Sequence, residues 1–265
     1  MVKRVLAAAM TLLLLVSPAL GEVTVESSEG EMYFPQEKNW TYHFLYAYPH
    51  IVGEDYTSAL INDTYEMALD EMTQLVLPMF ANAKDMRYDG QNEVRHGFSV
   101  QCNNGRVLSI LQTREQTRGA EGDLYALEPL TFDMGGMYAG ETLTLRGVTL
   151  IQAGVDSGKL EEVTAEDYPA LAHIIDGSSV QMGEALLPVL YQEFQKLQES
   201  GRIAPQWTYD DYEDEFSPTR DFYTNDEGSI LFFFPPMLLS APSFDVPVFS
   251  FTPEELDAIA AVEEM

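Results

Sequence analysis

Ile230 to Phe234 are five consecutive apolar residues, and they sit inside the run DFYTNDEGSILFFFPPMLLSAPSFDVPVFSFTPEEL, residues 221 to 256. A strand without polar alternation is one covered on both faces, so the rest of the chain has to supply a layer on either side of it. Phe222-Tyr223 predict a shorter strand before it. Asn225-Asp226-Glu227-Gly228 lie between the two, and this is hairpin-loop chemistry: Asn and Asp tolerate turn conformations, and Gly adopts positive φ without steric cost. Pro235-Pro236 remove two backbone donors and end the pairing. Val246, Val248 and Phe249 predict a further strand, which Pro247 drives towards an edge or bulge. Thr252-Pro253-Glu254-Glu255 is a capping box, with Thr at N-cap, Pro at N1 and Glu at N3, and predicts a closing helix.

Upstream the hydrophobic period alternates between two and 3.6. Trp40, Tyr42, Phe44, Tyr46 and Tyr48 share one face of a strand that Pro49 should end. Such an aromatic row is either core packing or a ligand platform, and core packing is favoured. Leu60, Ile61, Tyr65, Ala68, Met72, Leu75 and Val76 predict a helix over 57–77, limited by Pro78. A linker is expected over 82–92. Val94 to Cys102 and Arg106 to Thr113 flank Asn103-Asn104-Gly105 and predict a hairpin. Residues 114–122 read as a polar, glycine-containing loop, and strands are predicted over 124–134 and 142–151. Helices are predicted over 165–175 and 180–200, the second ending at Gly201 and kinked or started by Pro188. Within Trp207 to Phe216, residues 210–215 read as a solvated acidic loop. The expected fold class is α+β, with antiparallel sheets packed against a few helices in two sub-domains.

Lys3 and Arg4, the apolar run Val5 to Val16, and Ala19-Leu20-Gly21 have the order of a secretory signal peptide over 1–21. The apolar run is short for a membrane span. Residues 22–37 are polar and unpatterned and read as a flexible lead-in. The whole chain carries 43 Asp and Glu against 14 Lys and Arg, a net charge of −29. The leader holds two of the basic residues and no acid, so the remaining 244 residues stand at −31. That charge is repelled by nucleic acid and by anionic membrane surfaces, and attracts a cationic partner. With one cysteine, Cys102, no internal disulfide forms. Its place at strand period favours a buried structural thiol over a nucleophile.

The motifs of common catalytic sites are missing from the sequence. His43, His50, His96 and His173 form no zinc pair at helical spacing, and there is no nucleophile elbow or phosphate-binding glycine loop. Asp210, Asp211, Glu213, Asp214 and Glu215 lack the alternation and central glycine of a calcium loop. No catalytic residue, metal or cofactor is expected. A glycosidase-type carboxylate pair is set by separation in space, so an enzyme acting on cell-wall glycan stays as the alternative reading. Asn39-Trp40-Thr41 and Asn62-Asp63-Thr64 fit the glycosylation pattern, which has meaning only in a eukaryotic secretory route.

Several segments occur in an order shared with a known family. Tyr48-Pro49 precede a helix carrying Ile61-Asn62. Val107-Leu108-Ser109-Ile110 precede a Gly-containing loop, followed by Phe132-Asp133 and Gly140-Glu141-Thr142-Leu143-Thr144-Leu145. The chain closes with Asp221-Phe222-Tyr223, Phe232-Phe233-Phe234-Pro235 and Thr252-Pro253-Glu254-Glu255-Leu256. This resembles the extracytoplasmic region of RsiV-type anti-sigma factors and the accessory region of PdaC-type peptidoglycan deacetylases, over most of residues 38 to 260. The resemblance implies a bacterial envelope protein with one α+β region over 38–135 and a second over 136–265. It also implies binding of a basic protein such as lysozyme, or of peptidoglycan. The family loop reads Gly-Gly-Ala-His; here the matching segment is Arg118-Gly119-Ala120-Glu121-Gly122, with Arg for the first Gly and Glu for the His. The sequence shows neither an anti-sigma factor's sigma-binding and transmembrane segments nor a deacetylase domain, so a secreted, stand-alone version is expected. Its expected partner surface combines Arg118 to Gly122 with Asp210, Asp211, Glu213 and Asp214.

Overall fold

The computed structural model describes residues 22–35, 41–82, 92–117 and 123–261. The expected signal peptide and most of the expected linker (83–91) lie outside them. Among the described residues no helix is long and apolar enough to cross a membrane. The fold is α+β. Five strands, β1 (Thr24–Phe34), β2 (Tyr42–Val52), β3 (Asn92–Asn103), β4 (Val107–Thr117) and β5 (Leu124–Asp133), form one sheet in that order. A second sheet has the order β6 (Phe222–Thr224), β7 (Ile230–Phe233), β8 (Val248–Phe251).

The lead-in expected over 22–37 is a strand for most of its length. β1 pairs antiparallel with β2 over eleven residues, from Thr24 opposite Val52 to Phe34 opposite Tyr42. It is an edge strand, polar and largely exposed over its first half and half-buried over its second. Its order comes from backbone bonding to the aromatic strand beside it, so no apolar alternation marks it. Gly30 lies opposite Tyr46, and a Cβ there would collide with the Tyr46 ring.

Pro49 does not end β2, which continues to Val52. Only Tyr42 to Tyr46 pair with β3; beyond them β2 pairs with β1 alone, so the missing Pro49 N–H interrupts no ladder on the open side. The β2–β3 pairing is parallel, a departure from the expected antiparallel arrangement. Parallel neighbours need a crossover, and the helical segment after β2 provides it. That segment is α1 (Tyr56–Glu71), a π-helical turn (Met72–Val76) and α2 (Leu77–Asn82). Pro78 therefore sits inside the helical run. The Leu77 N–H reaches back to the Met72 carbonyl, and this wider turn shifts the ladder where proline has no donor to give.

Asp55 caps α1, accepting the Ser58 N–H at 2.9 Å. Asn62 then fastens α1 to β2: its Oδ1 accepts the Ile51 N–H at 2.7 Å and its Nδ2 donates to the Ile51 carbonyl at 2.9 Å. This use of both ends of the amide leaves the glycosylation pattern at Asn62 occupied by the fold. Asn62→Ala strips both partners from a buried peptide group and is expected to cost about 1–3 kcal/mol. Urea denaturation measures it, and a change below about 0.5 kcal/mol would mean the clamp is not needed.

The chain divides into two compact units, 1–99 with 112–126, and 100–111 with 127–265. The expected boundary at 135/136 is a different partition. β3, β4 and β5 each contribute residues to both units, so a single cut in sequence cannot express the division.

In the second unit the predicted strand over 142–151 is a helix, α3 (Leu145–Gln152), capped by Thr144. Seven of its eight residues are buried. A helix covered all round has no polar stripe to reveal its period. The helix expected over 165–175 contracts to a single turn at Pro169–Leu171 and the short α4 (Ala172–Asp176), because Pro169 starts a new turn. α5 (Ser179–Glu199) starts with a Ser178/Gln181 capping box and buries Met182, Leu186, Leu190 and Phe194 along one stripe. Gly201, at φ 76°, follows its end, where the left-handed region favours glycine. α7 (Pro253–Ala260) has the predicted Thr252/Glu255 capping box. The core joins α3, α5, β7 and the residue after it through Leu145, Ile151, Leu186, Phe194, Phe232 and Phe234.

Candidate functional site

The expected acidic loop at 210–215 is part of a helix, α6 (Tyr209–Glu215). Its signal was present in the sequence as Thr208-x-x-Asp211. The Thr208 N–H and hydroxyl both donate to Asp211 Oδ2, at 2.8 and 2.7 Å, and the Asp211 N–H returns to Thr208 Oγ1 at 3.3 Å. Carboxylates in a first turn also complement the helix dipole. Inward, Tyr212 is fully buried among Tyr191, Phe194, Phe216 and Phe234. Its hydroxyl donates to the Leu187 carbonyl at 3.0 Å, just before Pro188 in α5.

The four predicted acids on α6 therefore have two roles. Asp210, Glu213 and Asp214 are exposed. Asp211 is used by the cap, and the Thr208 hydroxyl and N–H hold its carboxyl below the usual carboxylate range. Tyr209 stands beside the outward acids, edge-on to Tyr191 at 4.6 Å. A bond to Glu213 raises its phenol above the ordinary value. Three exposed carboxylates next to an aromatic ring can attract a cationic group through long-range charge, though each exposed pair contributes only about 0–1 kcal/mol. Arg118, Gly119, Ala120, Glu121 and Gly122 lie outside the described residues.

Three of the histidines have partners remote in sequence. His173 Nδ1 lies 3.0 Å from Asp257 Oδ2, while Asp257 Oδ1 accepts the His173 and Ile174 N–H groups at 2.9 and 3.0 Å. At the other end of α4, Arg146 donates to the Ile174 and Ile175 carbonyls at 3.1 and 3.0 Å. α4 is thus capped at both ends from other helices, and this Asp–His pair is a structural clamp. His43 has Glu31 at 3.1 Å from Nε2 and Glu93 at 3.3 Å from Nδ1, linking three neighbouring strands. His96 pairs with the Tyr48 hydroxyl at 2.7 Å, and burial, aided by the Arg114 charge, pushes its pKa down to about 4. No local motif announces any of these pairs, because the partners lie 12 to 84 residues apart.

Cys102 is fully buried, as its strand period predicts, and burial pushes the thiol up to about 12. Its Sγ lies 3.7 Å from Gln152 Nε2, which also donates to Thr224 Oγ1 at 2.7 Å. Among the described residues no group of three or more His, Cys, Asp or Glu is placed to hold a metal.

No protein-family model and no curated protein matches the chain. Solved structures do. Two of those similar to it are DUF3298 family proteins. One, from Pseudomonas aeruginosa PAO1, is 12% identical, with a TM-score of 0.48 over 89% of this chain and 93% of its own. Another, from Bacteroides fragilis NCTC 9343, is 14% identical, with a TM-score of 0.44 over 88% of this chain and 92% of its own.

Proposed function

We propose that this chain is a secreted, non-enzymatic binding protein of the bacterial envelope, and that it captures a cationic protein such as lysozyme. The observation that carries the reading is the outward acidic face of α6, in a chain whose net charge is −29. Asp210, Glu213 and Asp214 stand on a helix anchored by Tyr212 and capped by Asp211. Among the described residues no ion pair neutralises their charges. Such a surface speeds encounter with a basic partner more than it tightens the final complex. The resemblance to RsiV-type and PdaC-type regions is a second support, and it makes peptidoglycan the other ligand to test. Arg118 to Gly122 belong to the proposed surface through that resemblance alone.

The test is binding of the purified protein to a C-type lysozyme and to isolated peptidoglycan, at low and moderate salt. Lysozyme is expected to bind, with an association rate that falls as salt screens the charges. Asp210→Lys, Glu213→Lys and Asp214→Lys together are expected to slow association by roughly tenfold at low salt. Asp211 is kept in that variant, so the helix cap stays intact. Unchanged association and salt dependence would remove α6 from the surface. Binding to neither ligand would overturn the reading. Release of soluble wall fragments would favour the enzyme alternative, which requires turnover to vanish when one carboxylate is replaced in a folded protein.

A further inference from the structure

The end of β5 carries a carboxyl group that the proposed binding surface does not use. Asp133 is 0% exposed. Its Oδ1 accepts the Gly135 N–H at 2.8 Å, and among the described residues its Oδ2 has no hydrogen-bond partner. The Ser157 side chain lies near the carboxyl, but a hydroxyl has one proton and Ser157 gives it to the Gly135 carbonyl at 2.8 Å. The surrounding charges are unfavourable too. Asp156, on the facing turn, and Glu141, on the returning chain, are both acidic. Arg106 reaches this region through its backbone, accepting the Met134 N–H at 2.9 Å, and Lys159 lies on the same turn as Ser157.

The two turns are pressed together here. A Cβ on Gly136, which has φ 69°, would lie 2.6 Å from Ser157 Oγ and 2.9 Å from the Gly158 nitrogen. The Gly140 N–H donates to the Asp133 carbonyl at 2.7 Å, and the Asp133 N–H donates to the Glu141 carbonyl at 3.0 Å. The carboxyl therefore sits at the root of a tightly closed loop over 133–141. A buried carboxylate oxygen without a donor carries its full desolvation cost. A neutral carboxyl removes that cost and leaves Oδ2–H to donate to the Ser157 oxygen. Oδ1 still accepts from Gly135, and Ser157 still donates onward.

We propose that Asp133 is a proton-operated latch: protonated, it locks the 133–141 loop against the 156–159 turn, and ionised, it loosens them. Burial raises the carboxyl above its ordinary value, against the bond from the Gly135 N–H and the nearness of the Ser157 hydroxyl. The sign follows from linkage. A carboxyl raised in the fold binds its proton more tightly folded than unfolded. The closed loop is therefore most stable below the ordinary carboxylate range and loses stability as pH rises through the raised folded value.

The test is amide hydrogen exchange on the full chain from about pH 4 to about pH 8, corrected for intrinsic exchange and read at Gly135, Gly140 and Gly158. Protection at these amides is expected to fall with rising pH, by up to about tenfold for each unit by which the folded group is raised. Asp133→Asn offers an amide in place of the acid and should hold protection level across the range. Glu141→Gln removes a neighbouring negative charge that helps raise the carboxyl, and should move the fall to a lower pH midpoint. Level protection in the unaltered chain would overturn the latch, as would an unchanged fall in Asp133→Asn. If Asp133→Asn does not fold, Glu141→Gln decides: a shifted midpoint supports the latch and an unmoved one overturns it.

Discussion

Phe234→Ala is expected to cost about 3–5 kcal/mol. Phe234 is fully buried, with ring centroids 5.1 Å from Phe216 and Phe249, 5.6 Å from Phe194 and 6.0 Å from Tyr212. It joins the strand segment, α5, α6 and β8 at one point. Truncation removes apolar area and leaves a cavity whose walls belong to four different elements, so no single shift fills it. Phe234→Leu keeps most of the volume and should lose less than half as much. Denaturant unfolding of the two variants decides the matter, and equal losses would mean the site depends on ring contacts more than on volume.

Asp257→Ala comes next, at about 3 kcal/mol. The substitution removes three acceptor contacts at once, those to the His173 N–H, the Ile174 N–H and His173 Nδ1. Ile174 is fully buried, so its N–H finds no water in exchange. A protein of this size should lose roughly 6–12 °C in Tm. Asp257→Asn keeps one acceptor oxygen and should lose less, and His173→Ala should be milder still because the backbone bonds survive. A loss below about 1 kcal/mol in Asp257→Ala would show that α4 is held by Arg146 and packing alone.

The candidate site was partly legible. The acids on α6 stand out in the sequence, and Thr208-x-x-Asp211 marks a helix start that separates Asp211 from its neighbours. The charge of residues 210–215 suggests a loop, whereas the Tyr212 and Phe216 spacing faces the core. Proline misled in the same way at Pro49 and Pro78. Each removes a donor, but whether that ends an element depends on what the donor would have met. At Pro49 the third strand is no longer paired, and at Pro78 a π turn has already shifted the ladder. β1 and α3 were hidden for opposite reasons. β1 is an exposed edge with little to bury, and α3 is buried on nearly every side.

What the sequence determined by itself is local. The Asn103-Asn104-Gly105 and Asn225 to Gly228 turns, the Thr252/Glu255 cap, the buried stripe of α5 and the burial of Cys102 all follow from residues close together in the chain. Backbone torsion and the first hydrogen bond of a turn or cap involve groups within about four residues, so neighbours suffice to specify them. Tertiary structure alone decided that β2 pairs parallel to β3, that Asp257 caps a helix 84 residues away, and that Asp133 lies under a glycine turn beside two other acids. Those outcomes depend on which surfaces pack together. A carboxylate is an ordinary surface charge, a helix cap or a buried acid according to the donors that packing brings within about 3 Å of its oxygens.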